Sequence, residues 1–139
     1  MPRVVPCRVF IADDVEALRV LWAHLLVEHG DIEVVGEAGD GEAAIEGVKA
    51  TRPDVLVLDL SMPRVDGLEV LRTLRDEVPE TGIVVASGLS AERLAPLALD
   101  LGASAYVEKG GPLERLREAV LGACNPSHSG AAMSSPPVG

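Results

Sequence analysis

The chain has 139 residues, a formal net charge of −10 and an apolar fraction of 47%. That length suits one domain with a full core, and with aromatics at 2% the core must be aliphatic. The acidic balance argues against nucleic acid or an anionic membrane as a partner of this chain's own surface, because phosphate contacts need clustered Lys and Arg.

Apolar runs alternate with amphipathic segments along the chain. Met1-Pro2-Arg3-Val4-Val5-Pro6-Cys7 lacks a signal-peptide apolar region, and no run reaches the roughly 18–20 apolar residues of a membrane span. A cytoplasmic location follows as the default. Cys7 and Cys124 are far apart and make no disulfide framework; both are expected as small apolar filler. Val9–Ala12 reads as a strand. Glu16–His29 reads as a helix with Leu18, Leu21, Trp22, Leu25 and Leu26 on one face. Ile32–Ala38 is a second strand, followed by a turn drawn from Gly36, Gly39 and Gly41, and Glu42–Ala50 is a short helix. Val55–Leu58 is the third strand, and Gly67–Glu77 a helix with Leu68, Leu71 and Leu74 inward. Ile83–Ala86 is the fourth strand. Leu94–Leu101 is the fourth helix, closed by Gly102; Pro96 is tolerated in a first turn but breaks an interior, so this helix is expected either to start late or to be distorted. Ala105–Glu108 is the fifth strand, and Leu113–Ala123 the last helix, with Leu113, Leu116 and Val120 on one stripe. The domain is expected over residues 8–123. Residues 124–139, rich in Ser, Gly, Ala and Pro, are expected as a flexible tail or linker.

Five strand–helix repeats with strands apolar on both faces imply an α/β fold. The sheet is parallel, open and doubly wound, covered by helices on both sides. Each of four runs ends in a polar group: Asp13-Asp14, Asp59, Ser87 and Lys109. The acids meet only if strands 1 and 3 are neighbours. That requires the order 2-1-3-4-5, with a ligand crevice at the carboxyl ends between strands 1 and 3.

Three carboxylates in one crevice repel one another unless a cation is present. Mg²⁺ suits them, with Asp14 and Asp59 as direct ligands, Asp13 direct or through water, and the Ser61 carbonyl free to face the ion. Asp13 reads equally well as a helix N-cap, since Asp13-Asp14-Val15-Glu16 has capping-box spacing. Asp59 can act as a nucleophile towards phosphorus and carry an acyl phosphate. The charge on the transferring phosphoryl oxygens would be met by Mg²⁺, the Ser87 hydroxyl and the Lys109 ammonium. In the turn after Asp59, Met62-Pro63 stiffens the loop, and Asp66-Gly67 supplies an N-cap and a flexible residue.

Asp13-Asp14, then Asp59 within Leu-Asp-Leu-Ser-Met-Pro-Arg-Val-Asp-Gly, then Ser87 and Lys109, resemble the receiver domain of bacterial two-component response regulators. The resemblance covers Arg8 to about Ala123 and implies the flavodoxin-like receiver fold. It also implies a sensor histidine kinase as phosphodonor, and Ser87 with Tyr106 as a switch pair; Tyr106 as half-buried strand packing is the plainer reading. Ile32–Gly41 and Leu101–Lys109 are most similar to receivers that carry a helix-turn-helix DNA-binding domain, which implies transcription regulation through an output domain. The face of the fourth helix, fifth strand and fifth helix is where such receivers meet an output domain or a second copy. Three departures fall beside it: Gly88 after Ser87, which loosens the loop, Pro96, and Gly110-Gly111 after Lys109, where no cis bond is expected.

Two other function classes remain. One is an interaction module that works without phosphorylation. The other is a Mg²⁺-dependent phosphohydrolase, for which the paired aspartates one residue apart after the first strand are missing. Dinucleotide binding is weaker still, because no G-x-G-x-x-G follows the first strand.

Overall fold

The computed structural model describes residues 5–62, 66–88 and 91–128. Five parallel strands form one sheet in the order β2-β1-β3-β4-β5. They are β1 (Cys7–Ala12), β2 (Ile32–Ala38), β3 (Val55–Leu58), β4 (Gly82–Ser87) and β5 (Ala105–Glu108). Between and after them run α1 (Glu16–Leu26), α2 (Gly41–Thr51), α3 (Gly67–Glu77), α4 (Ala91–Asp100) and α5 (Leu113–His128). This is the order and class expected.

Strand alternation decides which helix covers which face, because successive side chains point to opposite sides. Phe10, Leu56, Leu58, Ile83 and Val85 pack with Ala44 and Val48 of α2, with Val70, Leu71 and Leu74 of α3, and with Ala98 of α4. Val9, Ile11, Val55, Val57, Val84 and Ala86 pack on the other face with Trp22 and Leu26 of α1 and with Leu116 and Val120 of α5. Burying each such Leu, Ile or Val stabilises the fold by about 1.5–3 kcal/mol relative to exposure. The two layers clamp the sheet between them, and its carboxyl edge stays open.

Several boundaries differ from expectation, each for a local reason. β1 begins at Cys7, because its N–H bonds to the Asp31 carbonyl at 2.9 Å beside β2. Gly36 belongs to β2 rather than to a turn: a Cβ there would lie 2.6 Å from the Phe10 ring, which also covers Gly47. α1 stops at Leu26, well before His29; Val27 closes it and Gly30 turns with φ +80°. Leu21 is 44% exposed, outside the buried stripe that Trp22 and Leu26 occupy, and Leu113 is 39% exposed. α4 starts at Ala91, so Pro96 lies inside it and not at its first turn. Pro96 is exposed, and α4 continues past it to Asp100 without the N–H that proline lacks. α5 runs on to His128, past the expected end at Ala123. Cys7 and Cys124 are joined as a disulfide rather than serving as separate filler.

Candidate functional site

Register builds the site. Ala12 pairs with Leu58, so the next residues, Asp13 and Asp59, leave the sheet side by side. Their backbones stay anchored: the Asp59 N–H bonds to the Ala12 carbonyl and the Asp13 N–H to the Ala38 carbonyl, both at 3.0 Å. On the other flank Leu58 pairs with Val85 and Ser87 with Glu108, and the Lys109 N–H bonds to the Ser87 carbonyl at 3.0 Å. The strand ends therefore bring Asp13, Asp59, Ser87 and Lys109 to one edge of the sheet. Asp13, Asp59 and Ser87 are fully buried.

The carboxylate oxygens of Asp13, Asp14 and Asp59 converge within 4.8 Å of one another, and Asp14 is exposed at the mouth. Lys109 Nζ lies 2.7 Å from Asp13 Oδ2 and 3.2 Å from Asp59 Oδ2. Both Oδ2 atoms are buried, and neither completes a hydrogen bond of good geometry. Three carboxylates thus face one ammonium. Burial pushes the Asp59 carboxyl above its usual range; the Ser61 N–H and Lys109 oppose that, and the Asp13 charge adds to it. Burial also works against the Lys109 charge, but the close ion pair with Asp13 and the attraction of both aspartates outweigh it and hold its pKa above the ordinary value.

The other Asp59 oxygen, Oδ1, accepts the Ser61 N–H at 3.0 Å, which folds the loop back over the strand end. Asp13 Oδ1 accepts the Val15 N–H at 2.8 Å, so Asp13 forms an Asx turn. The N-cap of α1 is Val15, with no side-chain cap, and the capping-box reading of Asp13 fails. Asp66 caps α3 as expected, accepting the Leu68 N–H at 2.9 Å. Gly67 serves close approach rather than flexibility, since a Cβ there would sit 2.4 Å from Leu60 Cα. The stiffening assigned to Met62-Pro63 rests on Pro63, which lies outside the described residues. Tyr106 is half-buried and packs against the layer beneath α3 and α4.

Two residues at the site were read from sequence only as core or not at all. The Trp22 ring lies 5.8 Å below Lys109 Nζ, and Arg19 donates to the Asp13 carbonyl and pairs with Glu37 at 3.0 Å. Trp22 carried a signal only as an apolar member of the α1 stripe. Arg19 carried none, since its role depends on how α1 crosses β1.

This geometry, an acid cluster with an apposed lysine at the switch point of a 2-1-3-4-5 sheet, matches one class of protein. Residues 9–121 match the response regulator receiver domain family, and the chain belongs to it. It is 40% identical over 105 residues to the transcriptional regulatory protein PdtaR of Mycobacterium tuberculosis, covering 76% of this chain and 50% of that one. It is 40% identical over 124 residues to a protein-glutamate methylesterase/protein-glutamine glutaminase of Nocardioides, covering 82% of this chain and 34% of that one. Among solved structures, the signal receiver domain of the response regulator NarL from Mycobacterium tuberculosis superposes with a TM-score of 0.81. Its identity is 33%, covering 86% of this chain and 97% of that one. The chain therefore spans half or less of these two curated relatives. No helix among the described residues is long and apolar enough to cross a membrane.

Proposed function

We propose that Asp59 is the phosphoacceptor of a signalling switch, charged by the phosphohistidine of a sensor histidine kinase. The observation that carries this reading is the pair of buried Oδ2 atoms on Asp13 and Asp59, short of hydrogen bonds and facing Lys109. Carboxylates in that state call for a hard cation with oxygen ligands. Asp13, Asp14, Asp59 and the Ser61 carbonyl are the groups that would hold Mg²⁺. When bound, Mg²⁺ supplies positive charge against the phosphoryl oxygens.

The chain's own residues do the rest. An Asp59 oxygen forms the new P–O bond as the donor P–N bond breaks, and the imidazole leaves with the electron pair. Lys109 stays protonated, because the acids raise its pKa, and it meets a second oxygen's charge. Ser87, at the end of β4, would donate to a third. Phosphorylation adds about −1.5 to −2 charge, and the Ser87 loop with Tyr106 passes the change to the face of α4, β5 and α5.

Partners on that face would be an output domain or a second copy. The kinship with a transcriptional regulator favours control of transcription through an output domain. The receiver would run from Cys7 through the end of α5 at His128, five residues beyond the end expected from sequence, and residues 129–139 would be the linker, in the cytoplasm. The chain would act as phosphoacceptor rather than as an enzyme turning over a separate substrate.

Beryllofluoride with Mg²⁺ tests this. Trp22 is the sole tryptophan and sits under Lys109, so its fluorescence should change saturably in wild type and stay flat in Asp59→Asn. No change in wild type would defeat the proposal. A second reading, an interaction module independent of phosphorylation, draws on Pro96 inside α4. It gains if partner affinity ignores both beryllofluoride and Asp59→Asn.

A further inference from the structure

The end of the sheet opposite the acid cluster holds a second reactive group. Cys7 opens β1 and Cys124 lies in the later part of α5, roughly 20 Å from Asp13 along a six-residue strand. Their Cα atoms are 6.3 Å apart, inside the span a disulfide bridges. Each is 4% exposed, within the layer built from Val9, Val55, Val120 and Ala123. Asp54 stands beside them, its carboxylate close to both sulfurs and its Oδ2 accepting the Arg8 N–H at 2.9 Å. The same three residues have metal-ligand types, but structural zinc takes four ligands, and among the described residues the cluster offers three.

We propose that Cys7 and Cys124 are a thiol–disulfide modification site that staples the start of β1 to α5. The oxidant is a low-molecular-weight disulfide. One cysteine thiolate attacks a sulfur of R–S–S–R, an S–S bond forms, and R–S⁻ leaves and takes up the proton the cysteine lost. The second cysteine attacks the protein sulfur of this mixed disulfide, and the second R–S⁻ leaves and is protonated. Two protein thiols are oxidised, and one small disulfide is reduced to two thiols. Reagent reaches the pair when the end of α5 opens locally.

The bridge closes a loop with a sequence separation of 117, which spans nearly the whole domain. A long closed loop gives a large effect on the unfolded chain. α5 also leads into residues 129–139, so the staple fixes the direction in which the chain leaves the domain. It does so at the end remote from Asp59, as an input separate from phosphorylation.

The test uses the full chain equilibrated with oxidised or reduced glutathione, then denatured with iodoacetamide and weighed. The oxidised chain should take up no carbamidomethyl group and the reduced chain two. The oxidised chain should melt roughly 10 °C higher, and Cys7→Ser with Cys124→Ser should remove that response. Two alkylatable thiols after oxidation would overturn the proposal. So would equal melting temperatures of oxidised and reduced wild type, or one zinc ion per chain shielding both thiols.

Discussion

Replacing Lys109 by Met keeps most of the side-chain volume and removes the charge from between two buried carboxylates. At an effective dielectric of about 20, a unit pair at 2.7 Å and another at 3.2 Å attract by about 6 and 5 kcal/mol. Desolvation of all three groups offsets much of that, and breaking a buried pair costs about 3–5 kcal/mol net. The Lys109 side chain is 19% exposed, which places the expected loss near the low end, about 3 kcal/mol. For a domain of this size that is a fall in Tm of about 12 °C. Lys49→Met is the control. Its pair with Glu77 has the same 2.7 Å separation, but both side chains are about half exposed, so the expected loss is under about 0.5 kcal/mol. The assay is thermal unfolding at neutral pH and low salt, with chelator or with Mg²⁺. Mg²⁺ should recover more stability in Lys109→Met than in wild type, because the cation replaces the missing charge. Equal Tm values for wild type and Lys109→Met in chelator would refute the electrostatic account of the site.

Asp59→Asn should raise Tm at neutral pH without Mg²⁺. The folded carboxyl has a raised pKa, so its ionised form costs stability above that pKa. The cost is relieved as pH falls through the folded pKa, and it vanishes below the unfolded value of about 3.9. Melting curves of both forms from neutral pH downward should therefore converge; a variant less stable than wild type at every pH would contradict this. Gly67→Ala should destabilise by about 1–2 kcal/mol, measured by urea unfolding. The gain in helix propensity of about 1 kcal/mol is smaller than the cost of displacing Leu60 backbone that would lie 2.4 Å away. An unchanged midpoint would show that the loop yields freely.

Strand positions and the carboxyl-edge site were legible because both rest on local pattern. Val55–Leu58 is apolar throughout and ends in Asp59, and the meeting of Asp13 with Asp59 needs only that β1 and β3 adjoin. Helix ends were less legible. Leu21 has the spacing of a core residue, but α1 crosses the sheet so that Trp22 and Leu26 take the buried stripe. Pro96 reads as a helix breaker, yet α4 carries it on an exposed face. The Cys7–Cys124 bridge and the Trp22–Lys109 contact join parts of the chain far apart in sequence. Only the crossing of α1 and α5 over the sheet brings them together, and no local periodicity encodes that.

The central claim is that Asp59 takes up a phosphoryl group. Intact-mass measurement after incubation with acetyl phosphate and Mg²⁺ tests it most directly. Wild type should gain one phosphoryl mass, chelator should suppress the gain, and Asp59→Asn should show none. An unmodified wild type beside a working receiver, or the same gain in Asp59→Asn, would contradict it.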